Sequence, residues 1–201
     1  MGRKSIAHIR REQIINGFFK VVAKKGFANA STREITEAAG VSKGVLHHYF
    51  IDKEAMVLGV LGHVLETYLA EFTEGLEKRE SPTEQMEFFW SWFLDLNRFN
   101  MEFSRAWVEF WVLSKTNESI AEALRDCYGQ IIGRLAGIIR KGIESGDFAK
   151  VDPLVTANTM LASLEGTTML WVVNPMATPV EAINDKIAEL FLNHLKPGQE
   201  N

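Results

Sequence analysis

The chain has one cysteine among 201 residues, Cys127. That excludes an intrachain disulfide and, with no second thiol, argues against a structural zinc site. No apolar run approaches the roughly 18 residues of a membrane span, and Met1 to Arg11 lacks the apolar core of a signal peptide. A cytoplasmic location is the expectation. There is no phosphate-cradling glycine loop, no metal-ligand cluster and no nucleophile beside a base, so no metal or cofactor is expected. A helical enzyme using Glu109 or Glu165 as acid or base therefore stands as a bare rival without supporting groups. Internal repeats, low-complexity tracts and convincing strand alternation are missing as well. At 46% hydrophobic and 24% charged residues, the composition is that of an ordinary folded protein.

The net charge of −4 is unevenly distributed: residues 1–53 carry +6 and residues 54–201 carry −10. A basic quarter on an acidic body suits a polyanion, with nucleic acid the leading candidate, although a solvated charged face has the same composition. These two stretches are the expected domains.

Nearly every periodicity is helical. Ile14, Ile15, Phe18, Phe19 and Val22 follow the 3.6 period, and Lys24-Lys25-Gly26 supplies cations and a left-handed stop, predicting a helix from about His8 to Lys25. Ser31-Thr32-Arg33-Glu34 is a capping box opening a two-turn helix, Gly40 permits a sharp reversal, and Ser42 caps a helix from Lys43 to Phe50. Beyond Asp52 one long helix is expected. Ser81-Pro82-Thr83-Glu84 and Thr178-Pro179-Val180-Glu181 each predict a further capping box. The sum is an all-α fold of about nine helices, a small N-terminal helix-turn-helix domain followed by a larger helical body.

On a helical wheel, Leu46, Tyr49 and Phe50 gather on one side of the Lys43–Phe50 helix, while Gly44, Val45, His47 and His48 sweep the other. The outward face offers donors without bulk near its start, as a helix entering a DNA major groove requires. Adjacent histidines diverge on a helix and cannot share one metal ion. The two-turn helix, glycine corner and capped second helix have helix-turn-helix spacing.

From Ile14 to Met56 the sequence resembles the N-terminal domain of TetR-family transcriptional repressors. The resemblance rests on the aromatic-rich first helix ending Lys25-Gly26-Phe27, on Thr32-Arg33-Glu34-Ile35 leading to Ala39-Gly40-Val41-Ser42, and on Tyr49-Phe50 before Asp52-Lys53-Glu54. It implies DNA contacts from Thr32, Arg33, Lys43, Gly44, Val45, His47 and His48, from Tyr49 to a phosphate, and from Lys53 at the next helix start. It also implies a homodimer formed through the last two helices, acting on a double-stranded operator and released by a small molecule.

Ten of the twenty-one aromatics lie between Phe88 and Trp111, four of them tryptophans. They serve either as core or as the lining of a cavity. Leu154, Leu161, Leu164, Thr168 and Val172 are expected to form the inward face of a late helix, with Asn158 and Glu165 beside them. A carboxylate so placed is an internal acceptor, an interface residue or the counter-charge of a cationic ligand. The stretches "RAWVEFW" and "ASLEGTTMLW" resemble the choline-responsive betaine-pathway repressor (BetI) group of the same family, and an aromatic cage with one carboxylate suits a quaternary ammonium. The candidate ligand residues are thus Phe89, Trp92, Phe93, Trp107, Phe110, Trp111, Tyr128 and Glu165, for an effector that is cationic or apolar; a body that docks a protein instead is the alternative. Gly129, Gly133 and Gly137 form a stripe expected to permit close internal helix packing.

Overall fold

The computed structural model describes residues 6–198. Among them it contains nine helices and no strand: α1 (Ile6–Lys25), α2 (Thr32–Ala39), α3 (Lys43–Tyr49), α4 (Lys53–Glu77), α5 (Pro82–Phe93), α6 (Met101–Ser114), α7 (Glu118–Ser145), α8 (Pro153–Val173) and α9 (Val180–His194). The all-α expectation holds. Two compact units result: the described residues up to Glu66 with Asn100–Leu124, and Thr67–Phe99 with Arg125 onward. The expected division after Lys53 follows charge, whereas compactness divides α4 and α7 between the units.

The helix ends follow the side chains that satisfy them. Ser31 Oγ accepts from the Glu34 amide, and the Glu34 carboxylate accepts from the Ser31 amide, completing the predicted box. Lys25 also reaches this carboxylate, and its hydrogen bonds with Lys25 and Ser31 hold its pKa down at about 2. Asp52 Oδ1 accepts from the Ala55 amide to open α4, and the Ser81–Glu84 box opens α5. The last predicted box does not form. α9 starts one residue later than the box requires, with Pro179 as its N-cap and no side-chain bond there, and the Thr178 hydroxyl donates to the Leu170 carbonyl at 3.2 Å.

In the first unit, α1 and α2 approach so closely that a Cβ on Gly17 would lie 2.7 Å from the Ala39 nitrogen and 2.8 Å from the Ile35 oxygen. Gly40, at φ 64°, makes the left-handed turn out of α2. Phe18, Ile35, Leu46, Met56 and Phe110 fill the core between the helices. In the second unit Phe72, Met86, Phe89, Leu135, Ile139 and Met160 are the large side chains buried most deeply.

Three expectations change. α4 has an 18-residue window with mean hydropathy 1.3, apolar enough by length and composition to cross a membrane, but its Met56, Val57, Val60, Leu61 and Phe72 are buried as core. Leu154 and Asn158 lie on the exposed side of α8, whose inward face is Thr156, Ala157, Met160, Leu161, Leu164 and Thr167. The glycine stripe of α7 meets no neighbour: a Cβ at Gly129, Gly133 or Gly137 would stand in open space.

Candidate functional site

α3 is pinned from below and open above. Leu46 and Phe50 are buried, Ser42 Oγ caps the Val45 amide at 3.3 Å, and the Tyr49 hydroxyl donates to the Ala7 carbonyl at 3.3 Å. Lys43, Gly44, His47 and His48 are exposed, with Val45 half-buried between them. A Cβ on Gly44 would meet only Ser42 Oγ, at 3.9 Å, so the face is free of neighbouring chain. Seven residues fixed at both ends thus present donors, a methyl-bearing side chain and a cation in a set register.

At the start of α2, Thr32 is half-buried and Arg33 is exposed. Arg33 Nε donates to Glu37 at 2.8 Å, and this hydrogen bond raises the guanidinium pKa further above its ordinary value. A solvent-exposed pair of this kind contributes little to stability and is readily exchanged for another anion. Lys53 is less open than the sequence implied. Its ammonium donates to the Phe27 carbonyl at 2.6 Å and lies 4.3 Å from the centre of the Phe27 ring, and partial burial lowers its pKa.

The Phe27 peptide is held from its other side too. Its N–H donates to Glu109 Oε2 at 2.7 Å, which turns a residue considered for acid–base work into a structural acceptor. Lys53 of α4 and Glu109 of α6 therefore clamp the α1–α2 turn beneath the helix-turn-helix. The sequence offered no periodic signal for this, because the two partners lie 26 and 82 residues away from Phe27.

The aromatic candidates fall into separate groups. In the first unit Phe110 is buried and stacks on Phe18 with ring centres 6.2 Å apart, and Trp107 meets Phe110 edge-on at 6.2 Å; Trp111 is half-buried on the same helix. In the second unit Phe89, Trp92 and Phe93 cluster, with Phe93 4.8 Å from both of the others. Elsewhere in that unit the Tyr128 hydroxyl donates to Glu165 Oε1 at 2.9 Å. Burial, then the Glu165 charge, pushes the neighbouring Cys127 thiol up to about 11, which leaves it protonated and inert at neutral pH.

Sequence reasoning missed Tyr68, Glu71 and Arg98. The Arg98 guanidinium lies over the rings of Trp92 and Tyr68, at 5.0 and 5.8 Å from their centres, and bonds to the Glu71 carboxylate. Arg98 sits in the α5–α6 turn, where helical periodicity carries no information.

The family models account for most of this chain. The tetR family model of bacterial regulatory proteins matches residues 14–60, and the C-terminal model of BetI-type transcriptional repressors matches residues 82–195, more than half the chain. The chain belongs to the TetR family.

Within it, the HTH-type transcriptional regulator BetI of Stenotrophomonas maltophilia (strain R551-3) is 28% identical over 130 residues, 62% of this chain and 64% of that protein. The chain thus spans a little under two thirds of that relative. The fatty acid metabolism regulator protein of Bacillus subtilis (strain 168) is 21% identical over 182 residues, 90% of this chain and 93% of that one. A transcriptional regulator from Saccharomonospora viridis, solved in complex with choline, shares the fold at a TM-score of 0.80 and 18% identity, covering 92% of this chain and 97% of that chain. This TetR-family member is built from a helix-turn-helix unit and a helical body.

Proposed function

We propose that this TetR-family regulator is a cytoplasmic repressor, without enzymatic activity, that binds a near-palindromic operator as a homodimer and leaves it when a small molecule enters the C-terminal body. The exposed face of α3 carries the reading, because its register is fixed by Leu46, Phe50 and the Tyr49–Ala7 bond while Lys43, Gly44, His47 and His48 stay open. Arg33 and Thr32 add phosphate contacts, Lys53 contributes the N–H that its bonds to Phe27 and Ala28 leave over, and Tyr49 reaches a phosphate only by giving up its bond to Ala7. Two-fold pairing of such units requires half-sites about one helical turn apart.

Support for the homodimer comes from α8 and α9. Leu154, Val155, Leu170 and Val173 are exposed on α8, and Leu190 and Leu192 are exposed on α9. A row of large apolar side chains on adjacent helices in one chain is the kind of surface that a second copy buries.

Release of DNA would run along α4, which starts at Lys53 and spans roughly 37 Å at 1.5 Å per residue. A shift at its far end alters the Lys53–Phe27 tie and so the spacing of the two reading helices. By linkage, saturating operator weakens effector binding by the same factor as effector weakens operator binding.

The experiment is selection of duplexes from a random library, followed by fluorescence anisotropy of the selected duplex across a salt series and a metabolite panel. Expected are one dimer per palindrome, a steep loss of affinity with salt and at least one metabolite that releases the duplex. Binding without sequence preference would sink the operator assignment, and release by no metabolite would sink the receptor assignment.

A further inference from the structure

The second unit holds two buried hydrogen-bond donors on one patch with no protein acceptor. They are the indole Nε1–H of Trp92, a residue only 8% exposed, and the Nε–H of Arg98. The guanidinium carbon of Arg98 lies 5.0 Å from the centre of the Trp92 ring, so the two residues that carry these donors are in contact. A buried donor left without an acceptor costs about 1–3 kcal/mol, and such groups in a folded protein call for an outside partner.

That partner must accept. An indole N–H and a guanidinium N–H have no acceptor capacity, so neither can be satisfied by a cation or by a purely apolar molecule. The position that a quaternary ammonium would take is also filled. Arg98 already places a cation over Trp92 and Tyr68, with the Glu71 carboxylate as its counter-charge. An aromatic cage with one carboxylate is present, and the chain's own side chain is its occupant.

Around these donors the surface is apolar. Phe99 packs edge-on to Trp92 at 5.0 Å and to Tyr68 at 5.6 Å, and Phe93 stacks on Phe99 at 5.9 Å. The Arg98 turn is itself fixed, since the Arg98 and Phe99 amides both donate to the Asp95 carbonyl, at 3.0 and 2.9 Å.

We propose that Trp92 and Arg98 form the polar end of an effector site for an amphiphilic acid, whose carboxylate oxygen accepts from both donors while its apolar chain lies against Tyr68, Phe93 and Phe99. This rests on the reading of the body as a small-molecule receptor and assigns the ligand's class within it. Arg98 does two tasks there: it excludes cations from the cage and attracts the acid.

The test uses three probes with one tail and three heads: octanoate, octanol and octyltrimethylammonium, titrated calorimetrically into the full-length protein. Octanoate is expected to bind at least about tenfold more tightly than the other two, as a hydrogen bond to a charged group implies. Trp92→Phe keeps an aromatic ring and deletes the donor; it should weaken octanoate about tenfold and leave octanol within about twofold. Arg98→Gln should weaken octanoate and strengthen octyltrimethylammonium by freeing Glu71 and the rings. If Arg98→Gln loses helicity by circular dichroism, the Trp92→Phe pair of titrations decides alone. Octyltrimethylammonium binding best to the unaltered protein, or octanoate binding unchanged by Trp92→Phe, overturns the proposal while leaving a receptor in place. No binding by any probe overturns it as well, and the metabolite-release screen then judges the receptor reading separately.

Discussion

The two compact units both use helix caps and packed rings but differ in emphasis. In the first, directional bonds from side chain to backbone fix the turns: Lys53 and Glu109 grip the Phe27 peptide, Tyr49 reaches Ala7, and Ser31 and Glu34 close the start of α2. The second has caps of the same kind at Ser81 and Asp152 and adds a denser cluster of rings. Phe72 meets Phe88, Phe89, Trp92 and Phe93 with ring centres 5.2–6.3 Å apart, while Trp92 and Arg98 keep buried donors without a protein acceptor. Directional bonds keep a surface in register, as a helix reading base edges needs. Non-directional packing tolerates a shift, as a body that answers to a ligand needs.

Packing losses should be the largest and should not distinguish the units. Phe18→Ala and Phe72→Ala each remove a ring buried to 1% exposure, at a cost of about 3–5 kcal/mol, read as a lower urea midpoint. A much smaller cost for Phe72 would mean that the second unit is too loosely packed to be held by its rings.

Polar losses should distinguish them. Glu109→Ala strands the Phe27 amide, at a cost of about 1–3 kcal/mol, whereas Lys53→Ala leaves the Phe27 carbonyl its bond from the Ala30 amide at 3.2 Å and should cost less. Because both act on one peptide, the double variant should lose measurably less or more than the sum. Glu165→Gln in the second unit retains an acceptor for the Tyr128 hydroxyl, so its cost should stay below about 1 kcal/mol. Additivity at Phe27 would dissolve the clamp.

A smaller effect is a pH dependence in the first unit. Burial first, then the positive charges of Arg11 and His8, lowers the His63 pKa below its ordinary 6.5, against opposing pulls from Glu66 and Glu12. The unfolded chain therefore takes up this proton before the folded one does. The associated stability is complete above pH 6.5 and is lost as pH falls from there toward the depressed folded value. Urea midpoints should drop across that window for the unaltered protein, and His63→Gln should flatten the drop.

The fold was legible wherever a local rule had no competitor. Ser31 and Ser81 cap as the box pattern demands, and Gly40 turns left-handed where a reversal was needed. Thr178 does not cap because α9 begins one residue later, with Pro179 at the N-cap position, while the Thr178 hydroxyl is tied to the Leu170 carbonyl. Leu154 and Asn158 were assigned inward on apolar periodicity, but an exposed apolar face has the same period as a buried one. The α3 face could be read because one helix carries all of it. The cage around Arg98 could not, since its parts come from α4, α5 and a turn, and only folding brings a turn arginine over Tyr68 and Trp92.

The most direct measurement is anisotropy of the selected operator and its single-base variants against the unaltered protein and His48→Ala. If α3 reads bases from a fixed register, His48→Ala flattens the preference at one position per half-site, by about 1–3 kcal/mol, and leaves the other positions unchanged. A preference profile identical to that of the unaltered protein would contradict the account, because the face that the first unit holds so firmly would then not be the face that reads DNA.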